Sequence, residues 1–117
     1  MVDVFVTRRP DGRIVGFEIK GHSGFDRAGR DIVCAAASVT AYNAVGALGE
    51  LAGATDCHIE EPGYMRIELP GGLEGDRGRT ADIIMNTSYI GFKQIQGSYP
   101  DYLRLAEKTE VNANVKY

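Results

Sequence analysis

The sequence predicts an α+β fold: one small mixed, mainly antiparallel β-sheet packed with two helices, in the order ββαββαβ. Three observations lead there. Val2, Val4 and Val6 alternate with Asp3, Phe5 and Thr7, the period-two pattern of a half-buried strand. Residues 32–49 carry no charge and repeat apolar side chains at helical spacing. Turn signals at Pro10-Asp11-Gly12 and Pro62-Gly63 split the strand-like runs into hairpins.

Taken in order, the first strand ends at Pro10-Asp11-Gly12, and a second runs over residues 14–20 with Val15, Phe17 and Ile19 on one face. Residues 21–29 hold three glycines and read as a loop. Asp31 is placed to cap a helix whose Val33, Ala36, Ala37, Thr40, Ala44, Leu48 and Leu51 recur at helical spacing up to Gly53. A second hairpin follows over residues 57–61 and 64–69, with Met65, Ile67 and Leu69 sharing a face. Residues 70–79 form a glycine-rich loop, and residues 80–97 a helix with Ile84, Ser88, Phe92 and Ile95 on one side and Tyr89 beside them. Pro100 closes it, and Leu103 and Leu105 begin a last strand reaching about Val111.

A chain of 117 residues, 44% hydrophobic and 25% charged, suits one domain over residues 1–117 and needs no disulfide staple. With 13 Lys and Arg against 16 Asp and Glu, and no run of one sign, it lacks the clustered cations that bind duplex nucleic acid. The start, Met1-Val2-Asp3-Val4, has no secretory signal pattern, so a cytoplasmic location is expected. The uncharged run is nearly long enough to span a bilayer. Its Ala, Gly, Ser38, Thr40, Tyr42 and Asn43 suit a helix buried in protein better, and no membrane partner is expected. In such a setting Cys34 and Cys57 are thiols rather than a disulfide.

The chemistry concentrates between Gly21-His22 and Asp31-Ile32-Val33-Cys34, an imidazole on a loop and a thiol in the first turn of a helix. The N–H groups of a helix start and a nearby His⁺ both stabilise a thiolate, which makes Cys34 a candidate nucleophile and His22 its candidate acid and base. The competing reading keeps Cys34 as a small core residue and His22 as an ordinary loop residue. Asp31 either caps the helix or orients His22 as a third member. Ser38, one turn beyond Cys34, either contacts substrate or bonds back to its own helix. Zinc is disfavoured, because adjacent Cys57 and His58 point to opposite faces of a strand and no Cys-x-x-Cys or His-x-x-x-His pair exists. Cys57 then belongs to the core and His58 pairs with Glu60. Neither glycine loop ends as a P-loop or matches Gly-x-Gly-x-x-Gly, so mobility over a site is the better use for them.

Gly21-His22-Ser23, followed by Gly29-Arg30-Asp31-Ile32-Val33-Cys34-Ala35-Ala36-Ala37-Ser38, resembles the signature of the ribosomal-processing cysteine protease family, Prp. Ser98-Tyr99-Pro100-Asp101-Tyr102-Leu103 and the order of elements resemble it too, so the likeness extends over the whole chain. It implies a cytoplasmic cysteine endopeptidase that removes the N-terminal extension from the precursor of large-subunit ribosomal protein twenty-seven. The cut would follow an aromatic pair, with no metal and no cofactor. The family's histidine and cysteine fall on His22 and Cys34, its aspartate and serine on Asp31 and Ser38, and the glycine before the histidine on Gly21. It also implies a homodimer with a mobile loop over the site, here residues 21–30. Ser23 stands where the family often has Ala, and Ala37 where it often has Val, both small replacements. Two readings from other classes stand beside it: a non-catalytic dimeric ribosome-assembly module, and a redox sensor using Cys34 with Cys57 as resolving thiol.

Overall fold

The structure is a computed structural model and describes residues 1–21 and 31–110. Its described elements are β1 (Val2–Arg8), β2 (Ile14–Lys20), α1 (Ile32–Ala52), β3 (His58–Glu61), β4 (Tyr64–Glu68), α2 (Gly75–Ser98) and β5 (Leu103–Thr109). The strands form one sheet in the order β3-β4-β2-β1-β5, in which β1 and β5 are parallel and the other neighbours antiparallel. This is the mixed, mainly antiparallel sheet with two helices that the sequence predicts.

Alternation along β1 sets the inside: Val2, Val4 and Val6 are at most 1% exposed, while Asp3, Phe5 and Thr7 stay half-buried on the other face. Both helices lie on the valine face. Tyr42 of α1 hydrogen-bonds Glu60, whose partner across β4 is the buried Met65. Tyr89 of α2 bonds Glu107, the partner of Val6. The Phe17 and Phe92 rings, 5.3 Å apart between centroids, join β2 to α2 at the centre of the core. The opposite sheet face is polar, with Arg104 on Asp3 at 2.9 Å and Tyr64 donating to Glu18 at 2.6 Å.

Alanine favours the helical state, and α1 is capped at both ends. Asp31 Oδ1 accepts from the Cys34 N–H at 2.9 Å, and Gly53, at φ 64°, donates back to Leu48 O. The first turn of α2 supplies a further clamp: Arg77 donates through Nε to Ala52 O and through Nη2 to Gly53 O, both at 2.9 Å. Two carbonyls that the helix itself leaves without donors are thereby satisfied. By length and a mean hydropathy of 1.5, α1 also qualifies as a membrane-crossing helix, yet Val33, Ala37, Ala41, Ala44, Leu48 and Ala52 are buried in the core.

The structure departs from the sequence reading in four places. Val15 leaves the core face, and Ile14 occupies it at 1% exposure. A β-bulge explains this: pairing with β1 jumps from Thr7↔Gly16 to Arg8↔Ile14, so Val15 has no β1 partner. In α1, Leu51 is 68% exposed and Ala52 is buried instead. Thr40 turns toward the neighbouring helix, where a Cβ on Gly91 would stand 3.2 Å from Thr40 Cγ2. Helix α2 starts at Gly75 rather than Thr80, because its first turn is held by Arg77 and by the close fit of Gly78, where a Cβ would lie 2.8 Å from Leu73 O. The expected end of the last strand at Val111 lies outside the described residues.

Two carboxylates, Glu107 bonded across the layers to Tyr89 and Glu18 bonded within the sheet to Tyr64, give the fold an acid limit. The Tyr89 hydroxyl, and then Arg8, hold the Glu107 carboxyl below its ordinary value, and Tyr64, assisted by Lys20, does the same for Glu18. A carboxyl depressed in the folded state stabilises it above the unfolded pKa and loses that stabilisation as pH falls through the folded one. The urea midpoint is therefore expected to stay level above about pH 5 and to fall from about pH 4 downward. Glu107→Gln should flatten that fall; an unchanged acid slope would refute the assignment.

Candidate active site

Cys34 is the third residue of α1, half-buried. The first helical bond runs from Ala35 N–H to Asp31 O at 3.1 Å, and the Cys34 N–H is taken by the Asp31 carboxylate. The N–H groups of Ile32 and Val33 have no acceptor within the helix or elsewhere among the described residues. The N-cap reading of Asp31 is correct, and one of its carboxylate oxygens is committed to it.

Ser38 lies one turn beyond Cys34 and is half-buried. Three helix hydroxyls bond back to their own helix: Thr40 to Ala36 O at 2.8 Å, Thr87 to Ile83 O at 2.7 Å and Ser88 to Ile84 O at 2.9 Å. Among the described residues Ser38 has no such bond, and its hydroxyl is not sealed in the core. It is available to a ligand lying along α1.

Gly21 has a steric reason to be glycine. Its φ is +89°, and a Cβ there would stand 2.7 Å from the main-chain oxygen of Met1. Its N–H donates to Gly63 O at 2.9 Å, which ties the end of β2 to the β3–β4 turn. Any side chain at this position displaces the backbone that leads into the next residue. That residue is His22, which lies outside the described residues, as does the rest of the loop up to Arg30.

Sequence reasoning missed Tyr42. Its hydroxyl donates to Glu60, which also lies 4.0 Å from His58 Nε2, so the expected His58–Glu60 pair is present with a third member. The carboxylate raises the Tyr42 hydroxyl above its ordinary value, chiefly by accepting its hydrogen bond. Helical spacing from Cys34 through Ser38 to Tyr42 was the available signal.

Cys57 is core, as expected: it is 5% exposed, and its thiol bonds Ala54 O at 3.5 Å. Burial, and then Asp56, push that thiol up. It sits beyond the C-terminal end of α1, whereas Cys34 is at the start. At 1.5 Å per residue, Cys34 and Ala52 are about 27 Å apart along the helix. A disulfide needs Cα atoms within about 7 Å, so Cys57 cannot resolve an oxidised Cys34 in the same chain, and the two cannot share a metal. A cavity of about 660 Å³ opens at the other end of the sheet, lined by Arg9, Arg13, Leu69, Gly72 and Gly78 among others, and it includes none of Gly21, Cys34 or Ser38.

Known proteins resemble this chain in sequence and in fold. Residues 1–104 match the family model described as cysteine protease Prp. The ribosomal processing cysteine protease Prp of Bacillus subtilis (strain 168) is 30% identical over 107 residues, which are 90% of this chain and 96% of that protein. The fold matches an essential ribosomal processing protease Prp from S. aureus, solved with a covalently linked product peptide, at a TM-score of 0.82. That match has 24% identity and covers 92% of this chain and all of the other. SMU.848 from Streptococcus mutans matches at a TM-score of 0.77 and 28% identity, over 94% of this chain and 96% of its own. The chain, with a thiol at the capped start of its first helix, belongs to the Prp family of cysteine proteases.

Proposed function

We propose that this protein is a ribosomal processing endopeptidase that removes the N-terminal extension of the precursor of large-subunit ribosomal protein twenty-seven, cutting after an aromatic pair. The observation that carries this reading is Cys34 in the first turn of α1, with its backbone fixed by Asp31, in a chain of the Prp family. The B. subtilis relative named for ribosomal processing supports the substrate class. The protein would act in the cytoplasm as a homodimer, as the family likeness implies.

In this reading the Cys34 sulfur attacks the scissile carbonyl carbon, forming the S–C bond and placing the negative charge on oxygen. In this reading the N–H groups of Ile32 and Val33 donate to that charge, and each such donor is worth about a hundredfold in rate. Collapse breaks the C–N bond while His22 gives its proton to the leaving amine. Water, deprotonated by His22, then attacks the thioester, releasing the new carboxylate and restoring the thiolate. Gly21 sets the backbone that enters His22, and Ser38 touches the substrate one turn along from the thiol.

The test is mass spectrometry of a synthetic peptide matching the host's extension, and of the intact precursor, after incubation with the protein. A single cut after the aromatic pair is expected. Absence of cleavage of both substrates would refute the substrate assignment.

A further inference from the structure

Helix α1 turns about 100° per residue, so its flanks can be assigned from what they meet. The row from Val33 through Ala37, Ala41 and Leu48 is buried against the sheet, and Thr40 on one flank meets Gly91 of α2. Cys34, Ser38 and Tyr42, four residues apart, form the opposite flank, and the Tyr42–Glu60 hydrogen bond shows what that flank overlooks: β3.

β3 is an edge of the sheet, and all four of its residues are exposed. Its main-chain groups left unpaired among the described residues follow from the register. Glu68 N–H donates to Cys57 O at 2.8 Å, and antiparallel pairing alternates, so Ile59 and Glu61 turn their N–H and C=O toward β4. His58 and Glu60 therefore turn theirs away from the sheet. The other edge is partly closed, because Gln96 Oε1 accepts the Leu105 N–H of β5 at 2.7 Å.

The distances fit a peptide. Cys57 bonds Ala54, just past the end of α1, and Glu60 bonds Tyr42, so α1 and β3 run in opposite directions. Cys34 then lies eight residues, about 12 Å, beyond Tyr42 toward the Pro62-Gly63 turn. Three to four extended residues span that length.

We infer that the substrate docks as an added β-strand on the outer edge of β3, pairing its main chain with His58 and Glu60 about four residues from the bond that Cys34 attacks. Glu61, on the face away from Tyr42, leaves an exposed carboxylate beside this edge that a lysine or arginine of the docked segment would complement. This inference rests on Cys34 being the nucleophile and deepens the proposed function by placing the substrate.

The experiment scans the synthetic extension peptide with single backbone N-methyl groups, each of which removes one main-chain donor, and measures KM and kcat with the wild-type protein. KM should rise about tenfold, the effect of one lost hydrogen bond, at alternate positions three to six residues from the cut, with kcat nearly unchanged. His58→Pro removes an outward N–H and should raise KM for the unmodified peptide in the same way. Iodoacetamide labelling of Cys34 should be the same in His58→Pro as in wild type, which separates a lost docking contact from a disturbed fold. If the peptide is cut but no N-methyl position raises KM with period two, strand addition is wrong while the protease reading stands. If neither peptide nor precursor is cut, both fall.

Discussion

Replacing Cys34 by alanine is expected to lower kcat by about 10⁴-fold or more, the loss typical when a covalent nucleophile is removed. The fold should survive. Cys34 is half-buried on the flank of α1 away from α2, and the hydrogen bond with Asp31 uses its main-chain N–H, which alanine keeps. Cys57→Ala supplies the contrast: it removes a sulfur from the core at a cost of about 1 kcal/mol in stability and leaves cleavage in place. Alkylation gives a readout that needs no substrate. Iodoacetamide should label the half-buried Cys34 faster than the buried Cys57, whose ionisation burial and Asp56 both oppose. Equal loss of activity in the two alanine variants would remove Cys34 from the mechanism.

Gly21→Ala should damage stability and catalysis together. At φ +89°, an alanine is strained, and its Cβ would meet the main-chain oxygen of Met1 at 2.7 Å, an atom that cannot rotate out of the way. Strain of this kind costs about 1–3 kcal/mol before any clash is counted. Relief requires the chain to shift at the residue that leads into His22, and a displacement of about 1 Å in a reacting group can cost a hundredfold in rate. The measurements are a urea titration and kcat/KM on the same preparation. An alanine variant as stable and as active as wild type would show that this backbone conformation is dispensable.

Legibility in the sequence followed how local each signal is. The alternation of Val2, Val4 and Val6 and the spacing of Asp31 to Cys34 were readable, because strand period and helix capping are decided within a few residues. The bulge at Val15 was not, since it depends on which β1 residues sit opposite. Nor was the first turn of α2: residues 75–79 have no apolar periodicity, and what holds them is Arg77 reaching the end of another helix. At the site, Gly21 entered through family likeness and Ser38 through its spacing from Cys34; the structure adds a backbone collision at the first and, among the described residues, a hydroxyl not bonded to its helix at the second. The Tyr42–Glu60 contact joins residues 18 apart on different elements, beyond the reach of any local pattern. The meeting of His22 with Cys34 rests on the sequence motif, because His22 lies outside the described residues.

The Arg77 clamp bears on how the molecule opens. Helix ends ordinarily fray independently, each at small cost. Here the last carbonyls of α1 are held by a side chain from the opening turn of α2, so the end of one helix and the beginning of the next open and close as a single cooperative unit. Breathing of α1 is thereby biased toward its N-terminal end, where Cys34 sits.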